Sequence, residues 1–186
     1  MKVFDFDNTL YRGESSLDFF LFCLRRKPSL AKHLPEVMFN LLRYKAGYVG
    51  IDTVYAFGKK MMAVFFENRA YADELIAEFC GKYEKKLKPD MMRRVSAEDA
   101  VISASPDFLL RGFGERIKAK TLLCTTTEGD RITFLCYGKN KVRAFEERFR
   151  DVEIEAFYTD SINDRPMMRR AKRAYLVKGD KIKEII

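Results

Sequence analysis

The fold is constrained most by one short strand signal at the start of the chain, which a long helical segment separates from every later strand signal. Residues 2–6 form an apolar, β-prone run that ends among acidic and amide residues, where a chain typically leaves a strand. From Ser15 to about Val95 the apolar residues recur at helical spacing instead. We therefore expect a helical insertion after the first strand of a sheet.

The insertion contains groups of apolar residues spaced three and four positions apart, which is the period of a helix face. The groups are Leu17, Phe20, Leu21 and Leu24; Leu34, Val37, Met38, Leu41 and Leu42; Val54, Phe57, Met61 and Phe65; and Leu75, Phe79, Tyr83 and Leu87. This pattern predicts about four helices and few strands before residue 100.

After Ala100 short apolar runs alternate with helical stripes. The runs are residues 101–104, 121–124, 132–136, 154–158 and 174–177, and the stripes include Leu109, Leu110, Phe113 and Ile117, then Val142, Phe145 and Phe149. Ser105 before Pro106 is interpreted as a helix N-cap, and Gly129-Asp130 as the turn of a small hairpin. The alternation predicts an α/β fold: a doubly wound, Rossmann-like parallel sheet interrupted by the helical insertion.

Polar and charged residues follow the predicted strands. In an open parallel sheet, ligands bind beyond the carboxyl ends of the strands, so these residues are expected to converge. The residues at these positions are Asp5, Asp7, Ser103, Asp160 and Asp164, with Lys141 at the start of the helix after Gly138.

This combination of side chains suits phosphoryl transfer. Mg²⁺ prefers oxygen ligands and typically takes one or two carboxylates, a role that Asp5 and Asp160 can share. A carboxylate such as Asp5 can attack phosphorus and form an aspartyl phosphate, which divides one difficult hydrolysis into two displacements. Asp7 is then placed to protonate the leaving oxygen and later to activate water.

Four segments, in order along nearly the whole chain, resemble the four motifs of the haloacid dehalogenase (HAD) superfamily. They are Asp5-Phe6-Asp7-Asn8-Thr9-Leu10, Val101-Ile102-Ser103-Ala104-Ser105, Gly138-Lys139-Asn140-Lys141 and Asp160-Ser161-Ile162-Asn163-Asp164. An aspartate two positions after the first one fits the phosphatase and phosphotransferase branches, because the dehalogenase branch lacks it. The resemblance implies a Mg²⁺-dependent phosphatase.

The resemblance also implies a role for each residue. Asp5 would be the nucleophile and a metal ligand, and Asp7 the acid and base that ligates the metal through its carbonyl. Asp160 would be the other protein ligand. Ser103 and Lys141 would bind the transferring phosphoryl group, with Lys139 as a competitor of Lys141, and Asp164 would complete the Mg²⁺ site by supporting Lys141 and a metal-bound water.

The insertion resembles a type 1 cap, which divides the chain into a core of residues 1–11 and 96–186 and a cap of residues 12–95. The pattern is most similar to phosphoserine phosphatase-like members, in which Glu14 matches a hinge glutamate that contacts substrate; it could equally be a solvated charge at a helix start. The basic run Arg25-Arg26-Lys27-Pro28 and Cys136-Tyr137-Gly138 also resemble bacterial phosphatidylglycerophosphate phosphatases.

The charge of the chain favours anionic partners. Its formal net charge is +8, which suits a small phosphorylated metabolite, an anionic lipid surface or nucleic acid. We expect a phosphoserine-like metabolite, with a lipid head-group phosphate as the alternative. A non-catalytic nucleic-acid-binding or regulatory protein on the same fold is the competing class, but clustered carboxylates would repel a phosphate backbone, so no nucleic acid is expected.

Other site classes and locations are disfavoured. Cys23, Cys80, Cys124 and Cys136 lack close pairing, and His33 is the single histidine, so buried free thiols are expected rather than a zinc site. Residues 1–6 already resemble a core strand, which argues against a leader peptide and favours a cytoplasmic location. The apolar stretch 17–24 is too short to span a membrane. The sequence does not predict the oligomeric state.

Overall fold

The computed structural model describes residues 1–46, 48, 53, 56, 68–129 and 131–186. In these ranges seven strands form one sheet in the order β4-β3-β2-β1-β5-β6-β7. The strands are β1 (Lys2–Phe4), β2 (Ala100–Pro106), β3 (Thr121–Glu128), β4 (Arg131–Phe134), β5 (Ile154–Thr159), β6 (Ala171–Lys178) and β7 (Lys181–Glu184). The five inner strands are parallel, and β4 and β7 close the two edges as antiparallel hairpin partners. The predicted doubly wound α/β fold is confirmed.

The helices in the described ranges flank the sheet and fill the insertion. They are α1 (Ser15–Arg26), α2 (Leu34–Lys45), α3 (Arg69–Tyr83), α4 (Pro89–Met92), α5 (Asp107–Gly112), α6 (Lys139–Arg148) and α7 (Arg165–Met168). Short 3₁₀ turns lie at Pro28–His33, Glu84–Lys86, Gly114–Arg116 and Ile162–Asp164. None of the helices in the described part of the chain has the length and hydrophobicity of a bilayer-crossing segment.

The inner strands divide their side chains between two buried layers because successive residues of a strand point to opposite faces. Phe4, Val101 and Tyr158 belong to the larger hydrophobic cluster, which they share with α1, α3 and α5. Val3, Ile102 and Phe157 belong to the other cluster, with side chains from α6 and α7. Helices therefore cover both faces of the sheet, so the inner strands are buried and their carboxyl ends form the accessible edge.

The segment between β1 and β2 is helical wherever the structure describes it at length. Its expected third stripe, Val54, Phe57, Met61 and Phe65, lies outside the described residues. Helices α1 and α3 share one core with the sheet, since the Phe19 ring packs at 5.1 Å from Phe79 and Phe79 at 6.0 Å from Phe113. The boundaries of a separate cap at residues 12 and 95 stay a prediction.

Gly112 sets the closeness of α3 to α5. A Cβ atom at this position would lie 2.5 Å from Cys80 Sγ and 3.1 Å from Ile76 Cγ2, both on α3. Real Cβ contacts essentially never reach the shorter of these distances, so a larger residue would require the Cys80 side chain or the two helices to shift. Helix α3 of the insertion is thus fitted tightly onto α5, the helix that follows β2.

Three structural details differ from the sequence-based expectations or extend them. Ser105 is not a helix N-cap, because β2 continues through Pro106 and α5 begins only at Asp107. The hairpin is present, but its second strand ends at Phe134, before Cys136. Strand β7 was not predicted, since only Ile182 among its four residues is apolar. The four cysteines are free and buried, as expected.

Candidate active site

The site lies at the carboxyl end of β1, the point where the chain changes direction across the sheet. Strand β1 pairs with β2 on one side and with β5 on the other, both parallel. The backbone N–H of Asp5 donates to the Tyr158 carbonyl at 2.8 Å, which fixes Asp5 one residue beyond β1. A crevice at such a switch point is where open α/β sheets bind ligands.

Asp5 forms a buried charge network with residues from two other elements. The ammonium of Lys141, in the first turn of α6, donates at 2.8 Å to Asp5 Oδ1 and at 2.8 Å to Asp164 Oδ2. Thr159 Oγ1, at the end of β5, donates to the same Asp164 oxygen at 2.8 Å. Lys141 has three N–H donors, so one remains for a bound anion beside Asp5.

Burial and charge act against each other in this network. Burial raises the pKa of Asp5 well above its usual value against the opposing effect of the Lys141 ammonium, and the Asp164 and Asp160 carboxylates raise it further. Burial alone would lower the pKa of Lys141, but the two bonded carboxylates raise it above its ordinary value. The pair of carboxylates thus favours the protonated form of Lys141, and positive charge near Asp5 opposes the effect of burial on its carboxyl group.

Asp7 lies in a different environment, supplied by neutral donors. The backbone N–H of Ser15, the first residue of α1, donates to Asp7 Oδ1 at 2.6 Å, and Ser105 Oγ donates to Asp7 Oδ2 at 2.5 Å. Burial raises the pKa of Asp7, and the hydrogen bonds from Ser105 and Ser15 partly offset this rise. A carboxyl group held in this way can both release and accept a proton.

Ser103 and Asp160 complete the set predicted at the strand ends. Ser103 is buried in β2, and its Oγ accepts a hydrogen bond from the Ser105 N–H at 3.0 Å. Asp160 directly follows β5, and its carbonyl accepts a hydrogen bond from Lys178 Nζ at 2.6 Å. Burial raises the pKa of the Asp160 carboxyl against the opposing charge of Lys178, and the Asp164 carboxylate raises it further.

The donor set fits a Mg²⁺ ion held by two carboxylates. Asp5 and Asp160 lie close enough that the charge of Asp160 raises the pKa of Asp5, and a divalent cation between them would remove that repulsion. The Asp7 and Asp164 side chains accept hydrogen bonds from protein donors, and their expected contacts with the metal, through the Asp7 carbonyl and through a water beside Asp164, stay predictions. Within the described ranges no three His, Cys, Asp or Glu side chains form a metal-binding group, but Mg²⁺ commonly uses only one or two carboxylates with water.

The two competing lysines and Glu14 have distinct positions in the structure. Lys141 is buried against Asp5, whereas Lys139 is exposed, so the structure brings Lys141 into the site. Glu14 precedes α1 and its Oε1 accepts a hydrogen bond from Asn8 Nδ2 at 2.7 Å. Asn8 has a left-handed backbone, with φ of 56°, in the turn after Asp7. Glu14 thus contacts the turn of the site, and its contact with substrate stays a prediction.

Several polar residues of the site were not singled out from the sequence. Thr9 Oγ1 donates to Asp5 Oδ2 at 3.4 Å, and Thr159 holds Asp164. Thr159 directly precedes Asp160, so the rule that polar residues mark strand ends would have found it. Lys88 is buried, and its Nζ donates to the carbonyls of Asn8 and Gly179; a lysine between Leu87 and Pro89 carries no local signal of this role.

Comparisons with solved structures show the same fold in several proteins of bacterial origin. A protein of unknown function from Bordetella pertussis has a TM-score of 0.79 and 19% identity, over 94% of this chain and 87% of that chain. A phosphoserine phosphohydrolase-like protein from Francisella tularensis has a TM-score of 0.61 and 19% identity, over 94% and 86%. A HAD family hydrolase from Salmonella enterica has a TM-score of 0.65 and 16% identity, over 91% and 59%.

A comparison with family models identifies the chain more specifically than the shared fold does. A search of curated protein sequences returned no match. The model of the haloacid dehalogenase-like hydrolases, in contrast, matches residues 3–169, a span that contains Asp5, Lys141 and Asp164. Because this match covers most of its length, the chain belongs to the haloacid dehalogenase-like hydrolase family.

Proposed function

We propose that this protein is a Mg²⁺-dependent phosphatase that hydrolyses phosphate monoesters through an aspartyl phosphate on Asp5. The observation that carries the proposal is the contact of Asp5 with the Lys141 ammonium, which Asp164 holds from the other side. A nucleophile beside a fixed cation suits an anionic electrophile, because the cation binds the phosphoryl oxygens as the carboxylate attacks. The family match supports hydrolysis as the reaction class.

The proposed reaction has two displacements. In the first, an oxygen of Asp5 bonds to phosphorus as the bond from phosphorus to the leaving oxygen breaks, and Asp7 gives its proton to that oxygen, which departs as an alcohol. In the second, Asp7 takes a proton from water, the water oxygen bonds to phosphorus, and the bond to Asp5 breaks to release phosphate. Asp7 ends each cycle protonated, so protons and bonds balance.

The remaining residues bind and orient the phosphoryl group. The free N–H of Lys141 and the buried hydroxyl of Ser103 would hold its oxygens, and Thr9 and Thr159 would keep Asp5 and Asp164 in place. Mg²⁺, when bound by Asp5 and Asp160, supplies positive charge that neutralises the phosphate and favours the ionised form of Asp5.

For the substrate, we propose a small phosphorylated metabolite of the phosphoserine type, reached under a cap formed by residues 12–95. The shared fold of the phosphoserine phosphohydrolase-like protein from Francisella tularensis supports this class. A lipid head-group phosphate is the second candidate, favoured by exposed apolar side chains on α2, namely Met38, Phe39 and Leu42. Flotation with anionic liposomes at physiological salt separates the two, since a metabolite enzyme should stay unbound.

The nucleophile is tested with Asp5→Asn. Turnover of 4-nitrophenyl phosphate in excess Mg²⁺ should fall by at least about 1,000-fold, because an amide cannot form the covalent intermediate. Asp151→Asn, which changes an exposed aspartate before β5, should behave as wild type. Acid-quenched wild-type protein should carry phosphate that hydroxylamine releases, as expected of an acyl phosphate. Turnover by Asp5→Asn near the wild-type rate would falsify the mechanism.

A further inference from the structure

Ser105 has an unusual position for a residue at the end of a strand. The pairing of β2 with β3 shifts between Ser103 and Pro106, so the two residues between them leave the regular ladder. Irregularities of this kind are frequent beside active sites, where they redirect a side chain. Here the redirected side chain is Ser105, which is only 4% exposed.

The Ser105 hydroxyl contacts both Asp7 and the first turn of α1. Its oxygen lies 2.5 Å from Asp7 Oδ2, 3.0 Å from Ser15 Oγ and 3.2 Å from Ser16 Oγ. A serine hydroxyl has one proton and two lone pairs. With that proton donated to the ionised Asp7, Ser105 can only accept from the other two serines, and its hydrogen-bonding capacity is filled.

The backbone of Ser105 is also fixed. Its N–H donates to Ser103 Oγ at 3.0 Å, and the carbonyl of the preceding Ala104 accepts a hydrogen bond from Thr125 Oγ1 at 2.7 Å. The side chain that contacts Asp7 is therefore anchored from β2 and β3, both in the rigid part of the sheet. Asp7 itself is held from the opposite side by the Ser15 N–H at 2.6 Å.

These two donors determine the plane of the Asp7 carboxyl group. Each carboxylate oxygen has two lone pairs, so after Ser15 and Ser105 have each used one, each oxygen keeps one for the proton in transit. Loss of the Ser105 hydroxyl would leave the carboxyl group with hydrogen bonds from Ser15 alone, so its orientation would be less restrained. Misplacement of an acid by a fraction of an ångström weakens proton transfer in the transition state.

We propose that Ser105 is the positioning residue of Asp7, and that through Ser15 and Ser16 it links the acid to the start of α1. The inference rests on the proposed function, because it gives Asp7 the task of protonating the leaving group. It goes beyond that function by assigning Ser105, an uncharged residue outside the set of Asp5, Ser103 and Lys141 that is proposed to act on the phosphoryl group.

The test uses a series of 4-nitrophenyl, phenyl and 4-methoxyphenyl phosphates, which are similar in shape but have increasingly basic leaving oxygens. The measured quantity is kcat/KM, because it covers only the steps up to release of the alcohol. In Ser105→Ala, kcat/KM for phenyl phosphate should fall about tenfold or more, whereas that for 4-nitrophenyl phosphate should fall about threefold or less, since a nitrophenolate leaves without a proton. A purely structural defect would lower all three values equally.

Two further variants make the result specific. Thr127→Val removes a hydroxyl of the same strand β3 whose hydrogen bond goes to Asp107 rather than to Asp7 or the backbone beside Ser105, so it should lower all three values by the same factor or not at all. In an Asp7→Asn background, Ser105→Ala should not steepen the dependence on the leaving group any further. An equal loss with every substrate in Ser105→Ala, or further steepening in the double variant, would overturn the inference.

The outcome also separates this inference from the proposed function. If Asp7→Asn steepens the dependence on the leaving group and Ser105→Ala does not, Asp7 is the acid and Ser105 does not position it. If Asp5→Asn retains turnover, the proposed function fails whatever Ser105→Ala shows.

Discussion

Asp5 and Asp7 stand two residues apart, yet their surroundings differ in kind. Asp5 is bonded to an ammonium group in a network of buried charges, whereas Asp7 is held by a backbone amide and a serine hydroxyl. A cation favours the ionised form that attacks phosphorus, while neutral donors restrain a carboxyl group in either protonation state. The comparison teaches how one short turn can place two carboxyl groups in surroundings suited to the two roles proposed for them, nucleophile and acid.

The largest effect on stability is expected from the buried charge network around Asp5. Lys141→Met would leave the Asp5 and Asp164 carboxylates buried without their cation, which should lower the free energy of unfolding by about 3–5 kcal/mol. Urea denaturation in the presence of a chelator measures this loss.

Lys139→Met is the matched control, because it removes an exposed lysine from the same turn of α6 and should change stability by less than about 0.5 kcal/mol. Among the neutral donors around Asp7, Ser105→Ala should lower the free energy of unfolding by only about 1 kcal/mol. Equal losses of stability in Lys141→Met and Ser105→Ala would contradict the contrast between a charged environment at Asp5 and a neutral one at Asp7.

An intermediate effect, of opposite sign, is expected at Asp160, the proposed metal ligand. Burial raises the pKa of Asp160, so the folded protein binds this proton more tightly than the unfolded chain, and the ionised carboxyl group lowers stability as pH rises through its folded pKa. In metal-free protein near neutral pH, Asp160→Asn should therefore raise the free energy of unfolding by about 0.5–2 kcal/mol while abolishing Mg²⁺-dependent turnover.

Denaturation at two pH values checks the sign for Asp160→Asn. The gain should disappear at acid pH, where the wild-type carboxyl group is protonated. Asp180→Asn, an exposed aspartate paired with Arg12, should show no such gain. A gain that persists unchanged in acid would contradict the assignment to this carboxyl group.

The smallest effect on stability is expected from Thr159, which holds Asp164 at the edge of the charge network around Asp5. Thr159→Val preserves shape but removes the hydroxyl that donates to Asp164 and accepts from the Ser161 N–H. Stability should fall by about 1 kcal/mol, because Lys141 still holds Asp164. Thermal unfolding measures the change. Thr126→Val, on the β3–β4 hairpin, should have a smaller effect because its hydroxyl pairs with Thr133 at the exposed surface.

The positions of the proposed catalytic residues follow a local rule that the sequence reveals, whereas the contacts that hold these residues do not. Asp5, Ser103 and Asp160 each lie at the end of an apolar run, and the parallel order of the strands brings such ends together. The contact of Ser105 with Asp7 depends on a shift in strand pairing, which spacing along the chain does not encode. The same limit explains the incorrect N-cap assignment.

The edge strand β7 and the packing of the insertion helices are two further features that the sequence did not predict. Strand β7 has a single apolar residue, Ile182, among its four, so it lacks the hydrophobic alternation by which strands are recognised. The helical stripes of α1 and α3 predicted helices correctly, but not that these helices would share a core with the sheet. Packing partners are chosen by shape in three dimensions, and a single sequence contains that information only indirectly.

The close fit at Gly112 has a consequence for how such proteins can diversify. Helix α3 rests against α5 with no room for a side chain at residue 112. A different insertion therefore could not replace this one simply by being joined at the same two points of the chain, because it would also have to fit against α5. A replacement segment would have to bring small or adaptable residues where Ile76 and Cys80 now lie. New substrate preferences would thus arise more readily in the part of the insertion that lies farther along the chain from this contact, with the anchoring helix retained.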